Sequence, residues 1–157
     1  MTHTYVLLIA LGIGFVAGLR SLTAPAVVAW AAYLHGHALT HTWAAWVGSL
    51  AAAIVFTLLA VGELFLDKQP KTPPRTAPPS FGARIVLGAF AGAVAGTPWG
   101  FQWSALGAGV IGAVLGTLGG YQARSRLTAA TGRGLPIALL EDAVAVVGGF
   151  ALAAVAL

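Results

Sequence analysis

The sequence carries very little charge. Of 157 residues, eight are Lys or Arg and four are Asp or Glu. Soluble domains devote roughly a quarter of their residues to these four types. So few charges cannot cover the surface of a soluble fold of this length. Cysteine is absent, which excludes a disulfide, a thiolate metal site and a cysteine nucleophile. Disorder is excluded too, because it requires low hydrophobicity and high charge, whereas 59% of the chain is hydrophobic and the mean hydropathy is +0.89. None of Ser21, Ser49, Ser80, Ser104 and Ser125 sits in a Gly-x-Ser-x-Gly context. The glycine runs lie within apolar stretches and not in phosphate loops. No catalytic set, cofactor or nucleic-acid partner is implied. What remains is an all-α polytopic transmembrane helix bundle, a single integral membrane domain over 1–157.

Hydropathy divides the chain into spans. The first apolar segment covers about Tyr5–Leu34 and lacks the Lys or Arg that precedes a cleaved signal, so it is expected to be a retained span. As one helix it would reach about 45 Å, against a hydrocarbon core of roughly 30 Å. It also contains Arg20 and Pro25, so a break is expected over Leu19–Pro25. Further spans are expected over Trp43–Leu66, Gly82–Pro98, Ser104–Tyr121 and Leu135–Leu157. Between the second and third, Gln69–Ser80 holds prolines 70, 73, 74, 78 and 79 and is expected to be an extended loop. A short aromatic turn is expected at Trp99–Trp103 and a basic, polar connection at Gln122–Gly134.

Basic residues then orient the bundle. Lys68, Lys71, Arg75 and Arg84 fall in one connection, and Arg124, Arg126 and Arg133 in another. The connections at 35–42 and 99–103 have none and are flanked by Trp43, Trp46, Trp99 and Trp103. Loops 67–81 and 122–134 are therefore expected to be cytoplasmic, in a bacterial inner membrane. If 5–34 is one broken helix there are five spans. If it is a hairpin there are six elements, and all eight basic residues and all five Trp obey one rule. The halves 1–66 and 82–157 would then have opposite topology, as in a 3+3 inverted repeat.

Small residues recur every fourth position: Ala10, Gly14 and Gly18; Gly88, Gly92 and Gly96; Ala108, Gly112, Gly116 and Gly120. In lipid, such stripes let helix backbones approach closely. They are read as packing surfaces within the chain, with a homodimer contact as the alternative.

Charges inside a bilayer are costly, so each one suggests a functional site. Arg20, Glu63, Asp67, Arg124, Glu141 and Asp142 form the candidate polar intramembrane site. Glu63 and Asp67 share a helix face at i, i+4, whereas Glu141 and Asp142 diverge by about 100°. Arg20 is expected to pair with Glu63 or Glu141. His35, His37 and His41 cluster in one connection but match no strict ligand spacing, and no metal is assigned.

The run Gly18-Leu19-Arg20-Ser21 with Pro25, then Glu63 through Asp67-Lys68 and Pro70, then Arg124–Arg126 and Glu141-Asp142-Ala143, resembles a family of small bacterial multi-pass membrane proteins grouped under a domain of unknown function. The resemblance implies the architecture and the polar positions but no reaction. The histidines are not part of its pattern.

Three roles compete. The first is passage of a small solute or ion through a site at Arg20, Glu63 and Glu141, beside a discontinuous helix. The second is a non-catalytic accessory protein that packs against a partner or organises anionic lipid. The third, an intramembrane enzyme on a lipid-linked substrate, lacks a defensible nucleophile, base and orienter.

Overall fold

The computed structural model describes residues 1–35, 37–66 and 76–157, and these contain six α-helices and no strand. They are α1 (His3–Leu19), α2 (Thr23–His35), α3 (Leu50–Leu66), α4 (Pro78–Gly96), α5 (Gln102–Thr131) and α6 (Gly134–Ala156). Short 3₁₀ turns occupy Ala45–Gly48 and Thr97–Trp99. Three stretches are long and apolar enough to cross a membrane: Pro78–Trp99, Gln102–Thr131 and Gly134–Ala156. α1 and α3 are apolar but have 17 residues each.

Local chemistry sets the helix limits, and several differ from the expectations above. α1 stops where Arg20 turns extended, at φ −142° and ψ 107°. Pro25 falls in the first turn of α2, where a missing N–H leaves no helix bond unmade. Pro78 and Pro79 likewise open α4, so the expected loop does not reach Ser80. The connection expected over Gln122–Gly134 is largely helix. Nothing from Gln122 to Thr131 breaks the pattern, and α5 runs 30 residues, about 45 Å, before Gly132 closes it at φ 65°. The span expected from Trp43 begins only at Leu50. The Ser49 hydroxyl accepts from the Ala52 N–H at 3.1 Å and starts α3 there. Asp67, Lys68, Lys71, Arg75 and prolines 70, 73 and 74 lie outside the described residues.

α1, α4 and α5 pack backbone to backbone. α5 runs parallel to α1: Gly14 faces Gly109, and Gly18 faces Ala113 and Gly116. It runs antiparallel to α4: Gly88 faces Ala113, Gly92 faces Ala105 and Gly96 faces Phe101. A Cβ at Gly88 would lie 2.7 Å from that of Ala113, and one at Gly18 would lie 2.5 Å from the Ala113 oxygen. A Cβ at Gly112 or Gly116 would fall on the Leu11 or Phe15 carbonyl. Gly120 is buried on the same helix. The stripes thus face neighbouring helices of the same chain. Gly109, outside the stripes, meets both Gly14 and Gly88.

α2 is enclosed on all sides. From Thr23 to Ala32 every residue but Trp30 is buried, as expected of a helix that is apolar all round. α6 crosses α1 and α2, with Gly149 seated against Val16 and Val27. The outer surface is apolar: Trp103 is 79% exposed and Val147 70%. Soluble monomers rarely expose continuous apolar surface beyond a few hundred Å².

These contacts separate two kinds of glycine. Gly112→Ala puts a methyl onto the Leu11 carbonyl and is expected to destabilise by about 1–3 kcal/mol or more. Gly107→Ala meets nothing within 4 Å and is expected to be neutral or stabilising by up to about 1 kcal/mol. Thermal unfolding followed by circular dichroism in detergent tests the contrast. Equal melting temperatures for the two variants would contradict this packing.

Candidate functional site

The interruption between α1 and α2 sets the problem that the charged residues solve. A helix end leaves carbonyls or N–H groups without partners. In an apolar bundle those groups need partners from the protein. Glu63 reaches the start of α2 from α3. Its Oε1 accepts from the Ser21 N–H at 2.9 Å and the Ser21 hydroxyl at 2.6 Å, and its Oε2 accepts from the Leu22 N–H at 2.9 Å. A carboxylate thus sits at the positive end of the α2 dipole. Arg84 serves the end of α1 from α4. Its Nη1 donates to the Gly18 and Leu19 carbonyls at 2.9 and 3.0 Å, placing a cation at the negative end of α1. The Thr117 hydroxyl on α5 also lies 3.3 Å from the Gly18 oxygen. Arg84 Nη2 and Glu63 Oε1 are 3.8 Å apart, which ties the two caps together.

Arg20 completes the junction. Its side chain is only 1% exposed, and its Nε donates to Asp142 Oδ1 at 2.6 Å, with Nη2 at 2.5 Å from the same oxygen. The sequence points to Glu63 or Glu141, and the structure adds Asp142 as a partner of Arg20. The carboxylate at the Arg20 Nε is Asp142, while Glu63 is turned to the α2 backbone. On α6 the adjacent acids diverge: Asp142 points to Arg20, and Glu141 points to α5, where its Oε2 is 3.9 Å from Arg124 Nη1.

The candidate residues therefore divide. Arg20, Glu63 and Asp142 meet at the junction. Arg124 and Glu141 stand in a separate groove between α5 and α6. Asp67 falls outside the described residues. Three members were missed from the sequence: Arg84, Ser21 and Thr117. Charge counting places Arg84 with the basic connection, but it is 2% exposed inside α4 because that helix starts at Pro78. Its signal was a lone arginine just inside an apolar span.

A cavity of about 400 Å³ opens beside the junction, lined by Ser21, Glu63, Ser80 and Arg84 together with Leu58 and Leu59. The opposite end of the bundle is aromatic. Trp43 Nε1 donates to Thr97 Oγ1 at 3.1 Å, Trp99 Nε1 donates to the Ala156 carbonyl at 2.9 Å, and the Trp46 and Phe90 rings stack at 5.8 Å. His35 Nδ1 hydrogen-bonds with the Ala31 carbonyl. Among the described residues no three His, Cys, Asp or Glu side chains are placed to share a metal ion.

Fold and site together define an all-helical bundle with an apolar outer surface, helices able to cross a membrane, and an ion-paired junction at one end. The chain matches no family model, no curated protein and no solved structure.

The Arg20–Asp142 pair gives a direct stability test. Removing one partner of a buried pair costs about 3–5 kcal/mol, whereas an apolar replacement of both costs far less. Asp142→Leu alone is expected to destabilise strongly, and Arg20→Met with Asp142→Leu to cost less than the sum of the two single losses. Unfolding in detergent of the two singles and the double closes the cycle. Additive losses would show that the two side chains do not depend on each other.

Proposed function

We propose that this chain is a multi-pass integral membrane protein that passes a small solute or ion through the polar junction. The cavity of about 400 Å³ at Ser21, Glu63 and Arg84 carries this reading. It lies where a helix is interrupted, and interrupted helices in membranes line cavities or are buried in protein. Glu63 is the group that meets the solute, Ser21 and Ser80 offer hydroxyls, and Arg20 with Asp142 holds the wall behind.

The membrane arrangement proposed with it has α1 and α2 as a hairpin turning at Arg20–Leu22. The helix limits at Leu19 and Thr23 support this, as does the meeting of Val16 and Val27 at Gly149. Opposite directions of α1 and α4 support halves of inverted topology. Arg20, Arg84, Arg124, Arg126 and Arg133 gather at one end and Trp43, Trp46, Trp99 and Trp103 at the other, which supports a cytoplasmic arginine end in a bacterial inner membrane. Membership in the family of small bacterial membrane proteins of unknown function rests on the landmarks Arg20-Ser21, Glu63 and Glu141-Asp142.

A second reading is an accessory protein with a dry, ion-paired junction. The engagement of both Glu63 oxygens by backbone donors favours it.

The absence of cysteine separates the two. Gly62→Cys and Ser80→Cys on the cavity wall are expected to react with a charged, water-soluble thiol reagent applied to the arginine side, while His37→Cys reacts only from the other side. Silence at both cavity positions, with the control labelled, removes the passage reading in favour of the accessory one.

A further inference from the structure

α5 and α6 are joined by Gly132 and Arg133 alone, yet they leave a groove of about 200 Å³ between them. Its walls are apolar, from Phe15, Leu19, Leu127, Ile137, Leu140 and Val144. Leu127, Leu140 and Val144 remain exposed, so the groove opens outward along the apolar surface. Its mouth is charged. Arg124 stands there with Glu141 at 3.9 Å and keeps 36% of its side chain exposed. Arg126, within α5, and Arg133, in the α5–α6 connection, are exposed nearby in the chain. Between Gly119 and Leu140 there are three arginines and no acidic residue. One carboxylate, Glu141, faces this local positive charge.

An apolar slot under a net positive mouth matches one kind of molecule abundant beside a membrane protein. We propose that the α5–α6 groove is a binding site for an anionic phospholipid, with an acyl chain against Ile137, Leu140 and Val144 and the phosphate at Arg124. Arg126 and Arg133 add to the field that selects a net negative headgroup over a zwitterionic one. From Ile137 to Val144 the slot runs about 10 Å along α6, at 1.5 Å per residue, enough for the upper part of one chain. The phosphate end of the groove uses Arg124 and Glu141, whereas the solute junction uses Asp142, and Leu19 borders both.

The test uses the full chain, purified and delipidated in detergent, with bound lipid counted by native mass spectrometry after titration with phosphatidylglycerol or phosphatidylcholine. Each arginine near the headgroup is worth about fivefold in affinity. Phosphatidylglycerol is therefore expected to bind at least about fivefold more tightly than phosphatidylcholine. Arg124→Gln with Arg126→Gln and Arg133→Gln is expected to abolish the preference. Gly119 lines the groove and has nothing within 4 Å of where its Cβ would be. Gly119→Phe is therefore expected to fold, fill the slot and lose phosphatidylglycerol with every arginine in place. That variant decides the case even if the triple variant does not fold. Equal binding of the two lipids by the unaltered chain overturns the site. So does phosphatidylglycerol binding unchanged in Gly119→Phe, which would leave only surface attraction.

Discussion

The bundle depends on how it closes the two helix ends created at residues 19–23. Backbone groups there sit among apolar helices, and each one left without a partner would cost several kcal/mol. The few charges of the chain are used for this. Glu63 takes the N–H groups that open α2, and Arg84 takes the carbonyls that close α1. The same contacts help the ions in return, because a buried carboxylate or guanidinium is costly unless it is paired and hydrogen-bonded. Four helices thereby converge on one interruption: α3 and α4 supply the caps, and α1 and α2 supply the ends. α6 adds Asp142 against Arg20.

Packing and polarity meet at Gly18. Its carbonyl receives Arg84 and lies beside the Thr117 hydroxyl. Its missing side chain lets α5 come close enough for Thr117 to be there, since a Cβ would meet the Ala113 oxygen and the Thr117 nitrogen. The small-residue seam is thus what positions a polar partner for the end of α1. Moving α5 outward would loosen the helix contact and expose that carbonyl together.

That the chain is helical, with apolar helices long enough to cross a membrane, was legible because charge scarcity and hydropathy are properties of the whole chain. The packing stripes were legible because a four-residue repeat of Gly and Ala has one main use in lipid. The helix limits were less so. Counting basic residues as loop hid Arg84 inside α4 and the helical run from Gln122 to Thr131, although no breaker interrupts that run before Gly132. The stretch from Trp43 to Ser49 is as apolar as a span, so composition could not separate its turns from the helix that Ser49 starts. The contact of Arg20 with Asp142 was out of reach for a geometric reason. Glu141 and Asp142 are neighbours in sequence but about 100° apart on a helix, and only the docking angle of α6 decides which one faces α1.

That docking makes Glu63 the most constrained group of the junction. It lines the cavity, and both of its oxygens hold the start of α2. On the passage reading, a cation that takes those oxygens must displace the Ser21 and Leu22 N–H groups or share the carboxylate with them. Either outcome acts on the α1–α2 interruption, because no other side chain is bonded to those two N–H groups among the described contacts. Occupancy of the cavity and the geometry of the broken helix would then be coupled through one carboxylate, with Arg84 at 3.8 Å holding the opposite helix end. On the accessory reading the same three bonds leave α2 fixed in the centre of the bundle. The chemistry of Glu63 is identical in both. What differs is whether water reaches it.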